Sequence, residues 1–146
     1  MSKENVDVVK QFETVMAARG DVDEASGNRI EKALELLDAN VVFRLSEFVP
    51  GHGGDWVGHE GFLNMCKAYS RVWEPAEGLE FEFLDGGEEK VVILATFTRT
   101  SRETGRSIPI KMVEVVTVRD GRITDFDAYY DDTVGMHHAI GTDRAA

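Results

Sequence analysis

The chain has 146 residues, 42% hydrophobic and 29% charged, a size that fits one domain spanning residues 1–146 with a core or a core enclosing a pocket. Lys and Arg total 16 against 27 Asp and Glu, net charge −11, and no basic run interleaved with aromatics is present to neutralise phosphates, so nucleic acid is excluded as an expected partner. One cysteine, Cys66, excludes an internal disulfide framework; the opening MSKENVD has neither the basic nor the apolar region of a secretion signal, no apolar stretch nears the roughly 20 residues of a membrane helix, and a cytoplasmic protein with no membrane partner is expected.

Val8, Phe12, Val15 and Met16 recur at helical spacing and predict a first helix over Val8 to Arg19, broken by Gly20-Asp21. Asn28 stands three residues before Glu31 like a capping pair, and Ile30, Ala33, Leu34 and Leu37 line one face of a second helix. The period then drops to two in NVVFRLSEF, and Pro50-Gly51-His52-Gly53-Gly54 reads as a loop leaving that strand. A third helix is predicted over His59 to Trp73, with Phe62, Met65, Cys66, Tyr69, Val72 and Trp73 inward and Pro75 beyond its end. Four strands follow, LEFEFL, KVVILATFTRT, SIPIKMVEVVTV and RITDFDAYY, joined by DGGE, SRETGR and RDG turns into an antiparallel meander. Pro109 is tolerable in the third of these if that end is an edge or a bulge.

Helices, one strand, a helix and then strands alone describe an α+β layout with three helices packed on the concave face of a strongly curved, mostly antiparallel sheet. That order, with W-x-G-x-x-x-F at Trp56 to Phe62 and G-R-I…Y-Y-D at Gly121 to Asp131, resembles the SnoaL-like branch of the nuclear transport factor 2-like superfamily. The resemblance covers nearly the whole chain. It implies a cone-shaped α+β barrel with a pocket for a small-molecule ligand between helices and sheet, in a homodimer.

Strand parity identifies side chains for that pocket. In SIPIKMVEVVTV, Ile108, Ile110, Met112, Glu114, Val116 and Val118 share a face. In NVVFRLSEF, Arg44 shares a face with Val42 and Ser46, opposite Phe43 and Leu45. Glu114 and Arg44 thus interrupt apolar strands, and an unpaired charge in a dry interior costs several kcal/mol. A buried Arg44–Glu114 ion pair with no chemistry satisfies that constraint, and so does the polar floor of a ligand pocket; a shifted register would instead leave one of the two in solvent. In the last strand Phe126, Ala128 and Tyr130 alternate with Asp125, Asp127, Tyr129 and Asp131. Burying the acidic row would crowd carboxylates without cationic partners, so the aspartates face out.

The family resemblance adds further expectations. The acid/base aspartate of SnoaL-type polyketide cyclases falls at Ala128, and the other members of the limonene epoxide hydrolase set fall at Ala95 and Phe97, which argues against epoxide hydrolysis by that route. Glu114 matches the oxyanion aspartate of the ketosteroid isomerases, whereas their base position is occupied by Arg44. The expected catalytic set is Glu114 as acid/base, Arg44 stabilising negative charge and Tyr130 as hydroxyl donor. Val42, Ser46, Trp56, Tyr69, Phe97, Ile110, Met112, Phe126 and Ala128 are expected to line the ligand. His137-His138 reads as a surface pair without a metal-ligand cluster, His52 and His59 flank an exposed loop or lid, and Cys66 belongs to the core. Neither metal nor cofactor is expected. The function expected is a cofactor-free isomerase, cyclase or lyase step on an apolar, oxygen-bearing compound; the alternative is a noncatalytic ligand-binding or dimeric interaction domain.

Overall fold

The structure is a computed structural model and describes residues 2–17 and 24–142. Helices α1 (Ser2–Ala17) and α2 (Glu24–Leu36) lead into β1 (Leu37–Leu45), and a turn-rich loop into β2 (Gly54–Val57). Helix α3 (Gly58–Val72) precedes β3 (Glu77–Asp85), β4 (Lys90–Thr100), β5 (Ser107–Arg119), β6 (Arg122–Tyr130) and α4 (Thr133–Ile140). The six strands form one sheet in the order β2-β1-β6-β5-β4-β3, with β1 parallel to β6 and every other pair antiparallel. β2 and β3 are left as edges, so the sheet is open. The α+β class stands, with four helices among the described residues rather than three: the HH segment lies in the short fourth helix.

The meander follows the sequence alternation closely, because each strand ends where a turn residue must take positive φ. Asp120 and Gly121 adopt φ of 50° and 77°, the two-residue turn that matches the twist of an antiparallel hairpin. Pro109 pairs with Thr98 of β4, while β5 meets β6 only from Met112 onward, so its missing amide faces no β6 partner.

Several boundaries differ from the sequence reading: β1 ends at Leu45 instead of running to Phe48, and α3 is shifted by one residue to Gly58–Val72. α1 begins at Ser2, and its buried stripe is Val9, Phe12 and Glu13 rather than one starting at Val8; its expected end at Arg19 and the Gly20-Asp21 break lie outside the described residues. α2 begins at Glu24, which puts Asn28 inside the helix instead of at its cap. β1 takes Leu37 from the expected second helix, and β2, too short to show an alternation, was not anticipated.

Two apolar clusters make the interior. One gathers Val9, Phe12, Phe43, Phe62, Ile93, Val116 and Phe126; the other gathers Trp73, Ala95, Phe97, Ile110, Met112, Ala128 and Met136. On β4, β5 and β6 the division falls between Ile93 and Ala95, between Met112 and Val116, and between Phe126 and Ala128. Glu114 stands at this seam, paired in register with Ile93 on one side and Ala128 on the other. No described helix is long and apolar enough to cross a membrane.

Candidate functional site

Glu114 points from β5 toward the helices and is 6% exposed. The side chain that meets it is Glu13 of α1, 9% exposed and one residue from the core residue Phe12. The two carboxyls hydrogen-bond to each other, which requires a proton between them. Burial raises Glu114 well above the usual carboxylate range, helped by the Glu13 charge and by the hydrogen bond to Glu13. Burial also pushes Glu13 up to about 7, although the hydrogen bond from Glu114 pulls it back. Glu114 therefore keeps its proton and Glu13 exchanges its own near neutrality. Glu114 Oε2 is buried with no hydrogen-bond partner among the described residues.

Tyr130, at the end of β6, lies two strand positions from Glu114 by register. Burial, then the Glu114 charge, raises its phenol well above the ordinary range, so it is a neutral O–H donor. Its hydroxyl is 3.0 Å from His52 Nε2, and the His52 ring stands edge-on to Tyr69 at 4.5 Å. His52 is 2% exposed; burial and the nearby Arg99 charge lower it to about 4, against a small opposing effect of the Pro50 carbonyl, so the imidazole is neutral. Its Nδ1 is buried and has no hydrogen-bond partner among the described residues. The GHGG loop brings His52 inward: at Gly53 an added Cβ would sit 2.5 Å from Ser46 O and 2.6 Å from Val49 O, so only glycine permits the turn. Trp56 Nε1 donates to His52 O at 3.0 Å.

Arg99, at the inward parity of β4 with Ala95 and Phe97, completes the group. Its guanidinium lies 4.0 Å from the Tyr69 ring centre and 5.1 Å from that of Phe97, and Nη1 donates to Glu74 O at 3.1 Å. Burial lowers it to about 10, with Tyr130 acting in the opposite direction, and it stays charged at neutral pH.

The expected Arg44–Glu114 contact does not form. Arg44 alternates with buried Val41 and Phe43 and half-buried Leu45 and therefore leaves the opposite face of β1, where Nη1 donates to Asp125 Oδ1 at 2.9 Å and Asp127 Oδ1 at 3.2 Å. The parallel β1–β6 register sets Arg44 beside Asp127, so the acidic row does have a cationic partner. Val42 shares that outer face and Ser46 is exposed beyond the strand end; neither lines the interior. Trp56, Tyr69, Phe97, Ile110, Met112, Phe126, Ala128 and Tyr130 lie on the inner side, with Phe126 stacked on Phe43 at 5.1 Å inside a cluster of four phenylalanines. Glu13, His52 and Arg99 join the site without having been assigned to it. Arg99 had a readable signal, its strand parity; Glu13 had the helical spacing from Val9.

The remaining candidates fall elsewhere. His59 Nε2 lies 3.1 Å from Leu37 O, in a shallow cleft of about 320 Å³ with Leu34, Ala39 and Arg122. A second cleft of about 710 Å³ lies between α1 and α2 around Lys10, Thr14 and Lys32. His137 ties α4 to the loop after β1 through Phe48 O at 2.8 Å. Burial pushes the Cys66 thiol up to about 11, which suits an inert core residue. Among the described residues no three His, Cys, Asp or Glu side chains are grouped to hold a metal.

An open curved sheet with helices on its concave side and polar groups between them defines the nuclear transport factor 2-like class of α+β proteins. Within it the chain belongs to the SnoaL-like domain family, which its residues 10–126 match. A nuclear transport factor 2-like protein from Burkholderia xenovorans LB400 superposes with TM-score 0.80 at 22% identity, over 96% of this chain and 98% of that one. TerC, crystallised with polyporic acid, gives 0.75 at 23% identity over 94% and 98%. A protein of Jannaschia sp. CCS1, provisionally named a SnoaL-like polyketide cyclase, gives 0.77 at 15% identity over 98% and 95%. No curated protein matches the chain. At these identities the likeness concerns the fold.

Proposed function

We propose that the protein catalyses a cofactor-free proton transfer at carbon in a small carbonyl compound, the elementary step of an isomerase, cyclase or lyase. The observation that carries this reading is the Glu13–Glu114 carboxyl pair at the seam of the core, with Tyr130 beside it. Ionised Glu13 takes a proton from the carbon next to the carbonyl, and the electron pair moves to the carbonyl oxygen. Protonated Glu114 and the Tyr130 hydroxyl donate hydrogen bonds to the resulting enolate, and Glu13 returns the proton to the same carbon or to a conjugated one. A base poised near 7 and two neutral donors divide the roles in the way carbonyl enolisation at neutral pH requires. Glu13 supplies the base that the Arg44 position lacks.

The packed aromatic cluster of Phe12, Phe43, Phe62 and Phe126 favours the second reading, a noncatalytic binding domain, because it fills the interior beside the acid pair. Deuterium incorporation from D2O into a panel of cyclic and aryl ketones, 4-phenylcyclohexanone among them, separates the two. Incorporation above the buffer rate that Glu13→Gln abolishes, with the fold intact, supports proton transfer; buffer-rate exchange across the panel leaves the binding domain.

The site is proposed to work in a homodimer formed across the convex face. Half-buried Val92, Leu94, Val113 and Val115 lie there beside Tyr129, 59% exposed, and Leu84, 41% exposed, an apolar patch suited to a second copy. Light scattering that shows a monomer over a wide concentration range excludes the dimer.

A further inference from the structure

Arg99 and Trp73 occupy one corner of the interior, where the end of α3 meets the end of β4. Glu74 N donates to Thr100 O at 2.8 Å and Trp73 bridges to Ser101, which fixes the two side chains on neighbouring backbone. Trp73 is 1% exposed, and its Nε1 has no partner among the described residues; neither has the buried Nε of Arg99. Both atoms are donors only. The carboxylate of Glu74 is paired with Arg102 at 3.0 Å, and Glu74 offers Arg99 its backbone carbonyl instead. Among the described residues Arg99 forms no salt bridge, so a cation set over the Tyr69 ring keeps its buried Nε–H unused. Two buried donors with no acceptor call for an acceptor-only group, and a guanidinium with a fixed plane suits a carboxylate.

We propose that Arg99 and Trp73, with Tyr69 as the platform, form a carboxylate-binding subsite, so that the substrate is a flat oxo acid whose carboxylate rests here while its carbonyl reaches Glu114 and Tyr130. This rests on the proton-transfer reading and adds the substrate class. The register sets the length. Glu114 pairs with Ile93, and Arg99 stands six positions further along β4, about 20 Å at roughly 3.3 Å per residue. The arginine side chain shortens that gap by reaching back over Phe97 and Tyr69. A bicyclic skeleton spans the remainder, whereas a two- or three-carbon acid does not.

The probes are 2-naphthoate and its methyl ester, which differ in charge and little in shape. Binding is followed by tryptophan fluorescence and by the indole N–H resonance of Trp73, assigned with Trp73→Phe. The wild type is expected to bind the acid about tenfold tighter than the ester and to shift the Trp73 resonance. Arg99→Gln is expected to remove that preference, and Arg99→Lys to retain part of it. Equal affinity for acid and ester, or an unmoved Trp73 resonance on binding, overturns the subsite even if Arg99→Gln does not fold. Glu13→Gln keeps the acid preference if the subsite exists. Preference without ketone exchange therefore rejects the acid–base reading alone, and ketone exchange without preference rejects the subsite alone.

Discussion

On the convex face of β1 and β6, Arg44 meets two aspartates with 46% of its side chain exposed; on the concave face of β5, Glu114 meets another carboxyl in the dry seam of the core. The outer group carries its own cation, one arginine between two carboxylates, and water screens the single negative charge left over, so it contributes about 0–1 kcal/mol to stability. The inner group is unbalanced, keeps an unpaired oxygen, and holds its protons far from their ordinary affinity. Neighbouring positions in the same sheet thus carry charge for different ends. Outside, charge is met by a cation and screened by water; inside, it is met by a second carboxyl and kept from water.

The widest separation between the faces is expected from apolar replacement of the inner pair. Glu13→Met combined with Glu114→Leu should lower ketone deuteration by about 10²–10⁴ and yet raise stability by about 1–4 kcal/mol in urea, because a buried polar pair is exchanged for packed apolar groups. Glu114→Leu alone strands the Glu13 carboxyl and should cost about 1–3 kcal/mol. A double variant less stable than the single one would make the inner pair architecture.

Proton linkage gives the next effect. Glu13 is raised in the fold from 4.5 to about 7, so the native state binds the proton more tightly than the unfolded chain. The stability this supplies is complete below about 4.5 and is lost as pH climbs through 7, on the order of 3 kcal/mol in all. His52, lowered to about 4, works oppositely: the unfolded chain binds its proton better, and stability rises from about pH 4 to 6.5. The two are separated by subtracting the urea stability of Glu13→Gln from that of the wild type at each pH. The difference should fall toward pH 7; a flat difference would mean that Glu13 is solvated.

Tyr130→Phe leaves His52 Nε2 without its partner and should cost about 1 kcal/mol with m unchanged. The smallest effect belongs to the outer face. Arg44→Met, or Asp125→Asn with Asp127→Asn, should change stability by less than about 1 kcal/mol and leave ketone exchange intact, with salt reducing even that. A loss of exchange in these variants would erase the distinction between the faces.

The extent of β4 and β6 was readable to the residue, because period-two runs there are bounded by turns of glycine and charge. Parity within β1 was also readable, in that Arg44 opposes Phe43 and Leu45. Parity does not decide which row faces inward; the larger, wholly apolar Val41, Phe43, Leu45 row is the one a core selects over the row that carries Arg44. In α1 the adjacent Val8 and Val9 fit stripes one position apart, and the stripe through Val9 carries Glu13 inward. A glutamate on a short amphipathic helix looks like solvent-facing charge until its partner is known, and that partner lies 101 positions away. His52 was hidden for a related reason: the tight approach at Gly53, which turns the loop inward, is a three-dimensional fact.

The parallel pairing of β1 with β6 has a consequence in time. Partners such as Arg44 and Asp125 are 81 positions apart, and their parallel ladder closes a long loop of intervening chain. Contacts of such long range slow folding, since loop closure precedes the reward. The β3–β6 meander is joined by local hairpins, whereas α1, β1 and the His52 loop are held to it by contacts of long range. The acid pair, which joins α1 to β5, therefore exists only in the folded chain, and in the unfolded chain both carboxyls keep ordinary acidity.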